Sequence, residues 1–376
     1  MKQFFLSLFS FFLILSRALP CSICGGDYQS KLTLRQEVAT AKIVVVGTLS
    51  NARSDPATGE GQTDLKIDQI VKGNDLLRGV NALTIPRYFP GDGKGTLRGV
   101  FFFEVRGGKL ALISGRTVRG NQFIEYLRSV ATLDAREQLP FFVRHLDHPD
   151  SDIAADAFVE LARAADADIA RAASAVKPER LRRLLTDAQT PRERVGLLAF
   201  LLACSGTTRD ADLMYSMLKN VPDDRPSMRR GLMIGYTVLK PREGWEMTLG
   251  LLADAKHGFL ERNAALGVLM FFHNWKPDEN QRAILRGMRS AVAEGDLADM
   301  AVEELRRWRC WDLTDTVLAQ LGRPSHASVI VRNAIVRYAL ACPQPAARRF
   351  VADLRKRDPN LVAEIAESLE AEKPGR

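Results

Sequence analysis

Histidine and cysteine are scarce: five of each in 376 residues leave little with which to build a metal centre or an acid–base site. The five histidines fall into no catalytic pattern. A Gly-rich phosphate loop, a Gly-x-Ser-x-Gly elbow and a His-Glu-x-x-His motif are all missing, so the usual signatures of phosphate cradling, serine hydrolysis and zinc proteolysis are absent. Past residue 18 no apolar run is long enough to suggest an integral membrane span.

An excess of one charge sign is missing as well, although the formal net charge is +8. Residues 19–133 hold fifteen Lys/Arg against ten Asp/Glu, and residues 134–376 hold thirty-six against thirty-five. A stripe that tracks nucleic-acid phosphates needs a clustered surplus, so no nucleic-acid partner is expected. The run Arg355-Lys356-Arg357 is short and reads as a solvated helix face. At 46% hydrophobic and 26% charged residues, the composition is that of a folded globular chain.

What is present begins with Lys2, an apolar run from Phe4 to Leu15, and Ser16-Arg17-Ala18. A basic start, a short greasy core and a small-x-small exit predict a secretory signal over residues 1–18, cut after Ala18. An uncleaved anchoring helix is the alternative. The expected location is therefore periplasmic, cell-surface or secreted.

Residues 42–114 read as strands: "KIVVVGTL" (42–49), "TDLKIDQIVKG" (63–73), "ALTI" (82–85), "GVFFFEV" (99–105) and "KLALIS" (109–114). The turns hold the Gly, Pro and Asp, in "SDPATGEG" (54–61) and "FPGDGKG" (89–95). Five short strands suggest a small closed or half-closed antiparallel barrel over 19–133, flanked by helices at 32–41 and 121–130.

After Leu133 the pattern becomes helical. Six segments share an apolar face with small residues near its start, and aligning Ile153, Arg194, Arg230, Arg262, Asp299 and Arg332 gives steps of 41, 36, 32, 37 and 33 residues. Partner helices lie between them, as in "DADLMYSMLK" (210–219) and "ENQRAILRGMRSAV" (279–292). Helix pairs that cannot bury their own faces stack on their neighbours, so 134–376 is expected to be an α-solenoid.

The segments "VRNAIVRYAL" and "ERNAALGVLM" resemble HEAT repeats. The front region, with its Cys pair, short helix, "AKIVVVGTL", "IDQIVKG" and "GVFFFEV", resembles the netrin-like, tissue-inhibitor-of-metalloproteinase-type OB barrel. The combination also resembles exported proteins of planctomycete-type bacteria. These resemblances imply a multidomain chain with an OB/netrin-like barrel followed by HEAT-like pairs. In the inhibitors an N-terminal Cys chelates the protease zinc. Here the spacing is Cys-x-x-Cys, and two residues would precede Cys21.

Cys21 and Cys24 carry the most chemistry by spacing. A haem attachment needs His where Gly25 stands, a thioredoxin motif needs a preceding strand, and a zinc site needs two more close ligands. A local disulfide, a redox or metal function, and neither role stay open. Cys204, Cys310 and Cys342, at the ends of apolar helices, read as small core residues. His145 and His148, three apart with Asp147 and Asp150 nearby, are a weak metal candidate. Tyr88, Phe89 and Asp92 are barrel-loop binding candidates, and Trp308 with Trp311 suggests an aromatic anchor. No cofactor is expected. Together these features predict an exported, non-enzymatic binding or scaffold protein with a protein or peptide partner. A thiol-redox accessory protein and a netrin-like protease inhibitor are the alternatives.

Overall fold

The computed structural model of the chain describes residues 21, 23–24, 28, 30–54, 60–89, 97–118 and 120–372. The expected signal (1–18), Gly25, Asp92 and much of the two Gly-rich turns lie outside them. Thr33 begins the regular structure: its hydroxyl accepts the Gln36 N–H while the Gln36 side chain accepts the Thr33 N–H. This capping box starts α1 (Leu34–Thr40).

Strands β1 (Ile43–Ser54), β2 (Gly61–Lys72), β3 (Ala82–Ile85), β4 (Leu97–Arg106) and β5 (Lys109–Thr117) form one antiparallel sheet in the order β3-β2-β1-β4-β5. Register pairs Val44 with Phe102 and Val45 with Phe101. Because successive side chains alternate, Val44, Val46, Val100 and Phe102 fall in one apolar cluster, and Ile43, Val45, Phe101 and Phe103 in another. Burial of both faces is why "KIVVV" is a continuous apolar run rather than an alternating one.

The sheet does not close. Among the described residues β3 and β5 remain edges, because the four residues of β3 are spent pairing Thr63–Lys66 of β2. Helix α2 (Asn121–Thr132) follows Gly120 and buries Phe123, Ile124, Leu127 and Val130, one stripe at helical spacing.

The helical region comprises α3 (Gln138–Arg144), α4 (Ser151–Ala162), α5 (Asp166–Ala172), α6 (Pro178–Thr186), α7 (Val195–Ser205), α8 (Thr208–Leu218), α9 (Pro226–Leu239), α10 (Pro241–Ala253), α11 (Phe259–Trp275), α12 (Pro277–Ala293), α13 (Ala298–Arg307), α14 (Thr314–Leu318), α15 (Val329–Ala341), α16 (Pro345–Arg357) and α17 (Pro359–Ala371). Proline opens six of them, where its missing N–H would have had no helical partner.

Three joints are a single residue long. Lys240, Lys276 and Asp358 separate α9 from α10, α11 from α12 and α16 from α17, with φ of −131°, −144° and −146° and ψ of 76°, 65° and 76°. Each precedes a proline, which drives the preceding residue out of the helical region and turns the chain back. The helices form two layers: α7, α9 and α11 pack in series, as do α13, α15 and α17, with α10, α12, α14 and α16 behind them.

One crossing is unusually close. A methyl group on Gly231 of α9 would fall 2.2 Å from the Gly196 Cα of α7. At the same crossing Ile23 Cγ2 would meet a methyl on Gly196 at 2.9 Å, and Ile23 is 1% exposed. The segment before the sheet therefore docks on the helices.

Side chains seal that seam. Leu34 donates its N–H to Asp156 Oδ1 at 2.7 Å, Tyr126 donates its hydroxyl to Asp156 Oδ2 at 2.7 Å, and Arg35 grips Glu160 with two hydrogen bonds. One apolar cluster runs from Cys21 and Ile23 through the sheet and α2 to Ala347. The composition change near residue 133 is thus not a break in the core. No helix of the described residues is long and apolar enough to cross a membrane.

Candidate functional site

Cys21 and Cys24 are joined in a disulfide, their Cα atoms 5.6 Å apart. Both are buried, and the loop they close presents Ile23 to α7 and α9. Of the other thiols, Cys342 is buried beside Thr314 Oγ1, and Cys204 and Cys310 are half-buried; burial pushes the Cys204 thiol up to about 12 and raises Cys310, whose sulfur lies 3.6 Å from Asp312 Oδ2.

His145 and His148 stack with ring centres 5.9 Å apart. Both Nδ1 atoms are engaged locally, His145 with the Phe141 carbonyl at 2.8 Å and His148 as acceptor of the Asp150 N–H at 3.0 Å. Burial, the largest cause, lowers the pKa of His145. Among the described residues no group of three His, Cys, Asp or Glu is placed to hold a metal.

Tyr88 is exposed, but Phe89 turns inward. Its ring packs edge-on to Phe101 at 6.1 Å and its N–H donates to Thr63 Oγ1 at 3.1 Å. Trp308 stacks on His273 at 3.8 Å and lines a cavity of about 210 Å³, whereas Trp311 packs edge-on to Tyr338 and lines a different one of about 630 Å³. The two indoles thus face different cavities.

A site that sequence reasoning missed lies where the first layer parts. Helix α11 packs on α9 and α12, and α13 packs on α12 and α15, but α11 and α13 do not pack closely on each other. The gap is a cleft of about 570 Å³. Three helical stripes line it: Asn263, Leu266, Gly267 and Met270 from α11; Asp299, Met300, Glu303, Glu304 and Arg307 from α13; Ile330, Asn333, Ala334 and Arg337 from α15. Spacings of three and four residues put each set on one face of its helix.

Arg230 of α9 forms the back. It passes so close to Gly267 that a methyl there would meet its Nε at 2.2 Å, so glycine is what admits the guanidinium. Several charges inside are internally matched: Arg337 pairs with Glu303 at 2.8 Å and Arg307 with Glu304 at 2.6 Å. The side chains of Asp299 and Asn263, by contrast, make no hydrogen bond or ion pair among the described residues, and Asn333 Oδ1 is buried without a donor.

The rim repeats too. Phe259-Leu260-Glu261-Arg262-Asn263-Ala264 starts α11 and Val329-Ile330-Val331-Arg332-Asn333-Ala334 starts α15 in the same register. The leading apolar pair is exposed in both, with Ile330 at 67%. In the sequence this signal is the doubled Arg-Asn-Ala behind two large apolar residues. Its exposure is invisible there, because first-turn apolar residues are as readily read as core. No protein-family model and no curated protein matches this chain.

Proposed function

We propose that the chain is an exported, non-enzymatic protein-binding scaffold whose helical array receives its partner in the cleft between α11, α13 and α15. The observation that carries this reading is the pair of equivalent helix starts, Phe259-Leu260 and Val329-Ile330, exposed at the heads of the two helices that flank α13, with Ile330 itself lining the cleft. Apolar side chains kept in water in the same register of two repeats favour a surface that is covered by something else. HEAT-like repeats would supply such a surface, and the single-residue joints before proline support that assignment. The strand order β3-β2-β1-β4-β5 supports an OB/netrin-like sheet opened along one seam. The Cys21–Cys24 disulfide supports export, since such bonds persist in oxidising compartments.

The alternatives fit the geometry less well. A thiol-redox role needs an accessible sulfur for attack, and both sulfurs belong to buried residues. A zinc-chelating inhibitor needs the Cys21 end of the chain open to a protease, and Cys21 is 7% exposed.

Site-specific photocrosslinking tests the proposal. A benzophenone side chain replacing Ile330 should trap a discrete protein adduct in the exporting host, and the same group replacing exposed Lys356 on α16 should not. Equal labelling at both positions, or none at Ile330, overturns the site.

A further inference from the structure

Resting on that reading, we infer that the occupant of the cleft is an extended peptide segment carrying an apolar side chain next to a lysine or arginine. The argument is one of unspent hydrogen-bonding capacity. Glu303 and Glu304 are neutralised by Arg337 and Arg307, so neither calls for an external cation. Asp299 differs: it stands in the first turn of α13, half-buried, yet no backbone N–H of that helix donates to it. A carboxylate that caps nothing inside its own fold is an acceptor for a cation brought from outside.

The two asparagines address the main chain. A side-chain amide offers one donor group and one acceptor, the same complement as a peptide unit. Asn263 and Asn333 occupy matching positions on α11 and α15, so each can meet a peptide unit of a chain laid across the intervening α13. Asn333 Oδ1, buried without a donor, carries a cost that rotation toward an incoming N–H would remove. An extended strand has its N–H and C=O groups free to meet such amides, whereas a helix has already spent them.

Between the polar points the lining is Leu266, Met270 and Met300, with Ile330 at the rim. Two methionines make a wall that adapts to different apolar side chains. The aliphatic stem of a lysine or arginine can lie along the same wall while its head reaches Asp299.

Fluorescence polarisation with the full exported chain tests this. The probe is a fluorescein-labelled ten-residue peptide containing two leucines and two lysines in a Ser/Thr background, with a twin in which both lysines are glutamates. The lysine peptide should bind at least tenfold more tightly than its twin. Asp299→Asn should shrink that preference at least fivefold, and Asn333→Ala should weaken both peptides alike, with thermal unfolding of both variants unchanged. Equal or tighter binding of the glutamate peptide, or a preference indifferent to Asp299→Asn, overturns the inference. If neither peptide binds while the crosslinker at Ile330 still traps one protein, the peptide inference falls and the scaffold reading stands. If both experiments fail, both fall.

Discussion

Tyr126 donates its phenol hydrogen to Asp156 at 2.7 Å, joining the last helix of the sheet region to the second helix of the array through a carboxylate that is 9% exposed. Burial, the largest cause, pushes Asp156 up to about 6, against the lowering effect of the Leu34 N–H and the Tyr126 hydroxyl. An unfolded aspartate titrates near about 3.9. Between these values the folded state binds more protons than the unfolded one, so unfolding free energy falls as pH rises and the full penalty is present above about 6. Asp156→Asn, whose amide can still accept from Leu34, should therefore stabilise the protein at pH 7.5 by on the order of 1–3 kcal/mol and have little effect at pH 4. Urea unfolding at both pH values checks this. Equal stabilisation at both would show that Asp156 titrates normally.

The Gly196–Gly231 crossing makes a sharp contrast with Gly250. Gly231→Ala should cost about 1–3 kcal/mol or more, since the new methyl has only backbone to displace. Gly250, inside α10 with nothing within 4 Å of its Cβ position, should gain about 0.5–1 kcal/mol on replacement by alanine. Thermal denaturation of the two single variants should move in opposite directions.

The Cys21–Cys24 loop is expected to act as a fastener. Replacing both cysteines by serine should lower stability by about 2 kcal/mol, the small-loop end of the disulfide range. Ile23→Ala should cost about 2–5 kcal/mol through the cavity left at the helix crossing. Neither change should alter insulin reduction, which the wild type should not catalyse. Measurable turnover lost in the double serine variant would restore the redox alternative.

Tyr338 supplies a test at the far end of the array. Its ring is fully buried, and its hydroxyl donates to the Cys310 carbonyl at 3.0 Å and lies 3.0 Å from Thr314 Oγ1. Tyr338→Phe keeps the packing but strands the Cys310 carbonyl, and should cost about 1–3 kcal/mol. Chemical denaturation should show a lower midpoint with an unchanged slope.

Most element types were legible in the sequence, and the reasons are local. The strand "ALTI" and the helix "SDIAADAFVELA" occupy the residues expected, because alternation, helical spacing and the Asp150 cap are short-range signals. The sharp joints at Lys240, Lys276 and Asp358 also have a local cause, the proline that follows each. Trp308 and Trp311 line different cavities, which proximity along the chain does not reveal, because it does not tell which side of a helix end an indole takes. The cleft was missed for the same reason: Asn263, Asp299 and Asn333 are ordinary polar residues until three separate helices set them around one gap.

The amino-acid sequence by itself determined a strand-rich front, a helical rear with a period of roughly 32 to 41 residues, and the absence of the familiar catalytic motifs. Tertiary structure alone decided that the Cys21–Cys24 loop lies on α7 and α9, that the sheet stays open, and that α11 and α13 part. Each of these depends on contacts between residues far apart in the chain, such as Leu34 with Asp156, 122 positions on. Periodicity fixes which face of an element is apolar, but the depth to which facing side chains let two backbones approach decides what meets it. Glycine at 196 and 231 closes one seam of the array, and the stripe from Asn263 to Met270, which α13 does not cover, leaves another open.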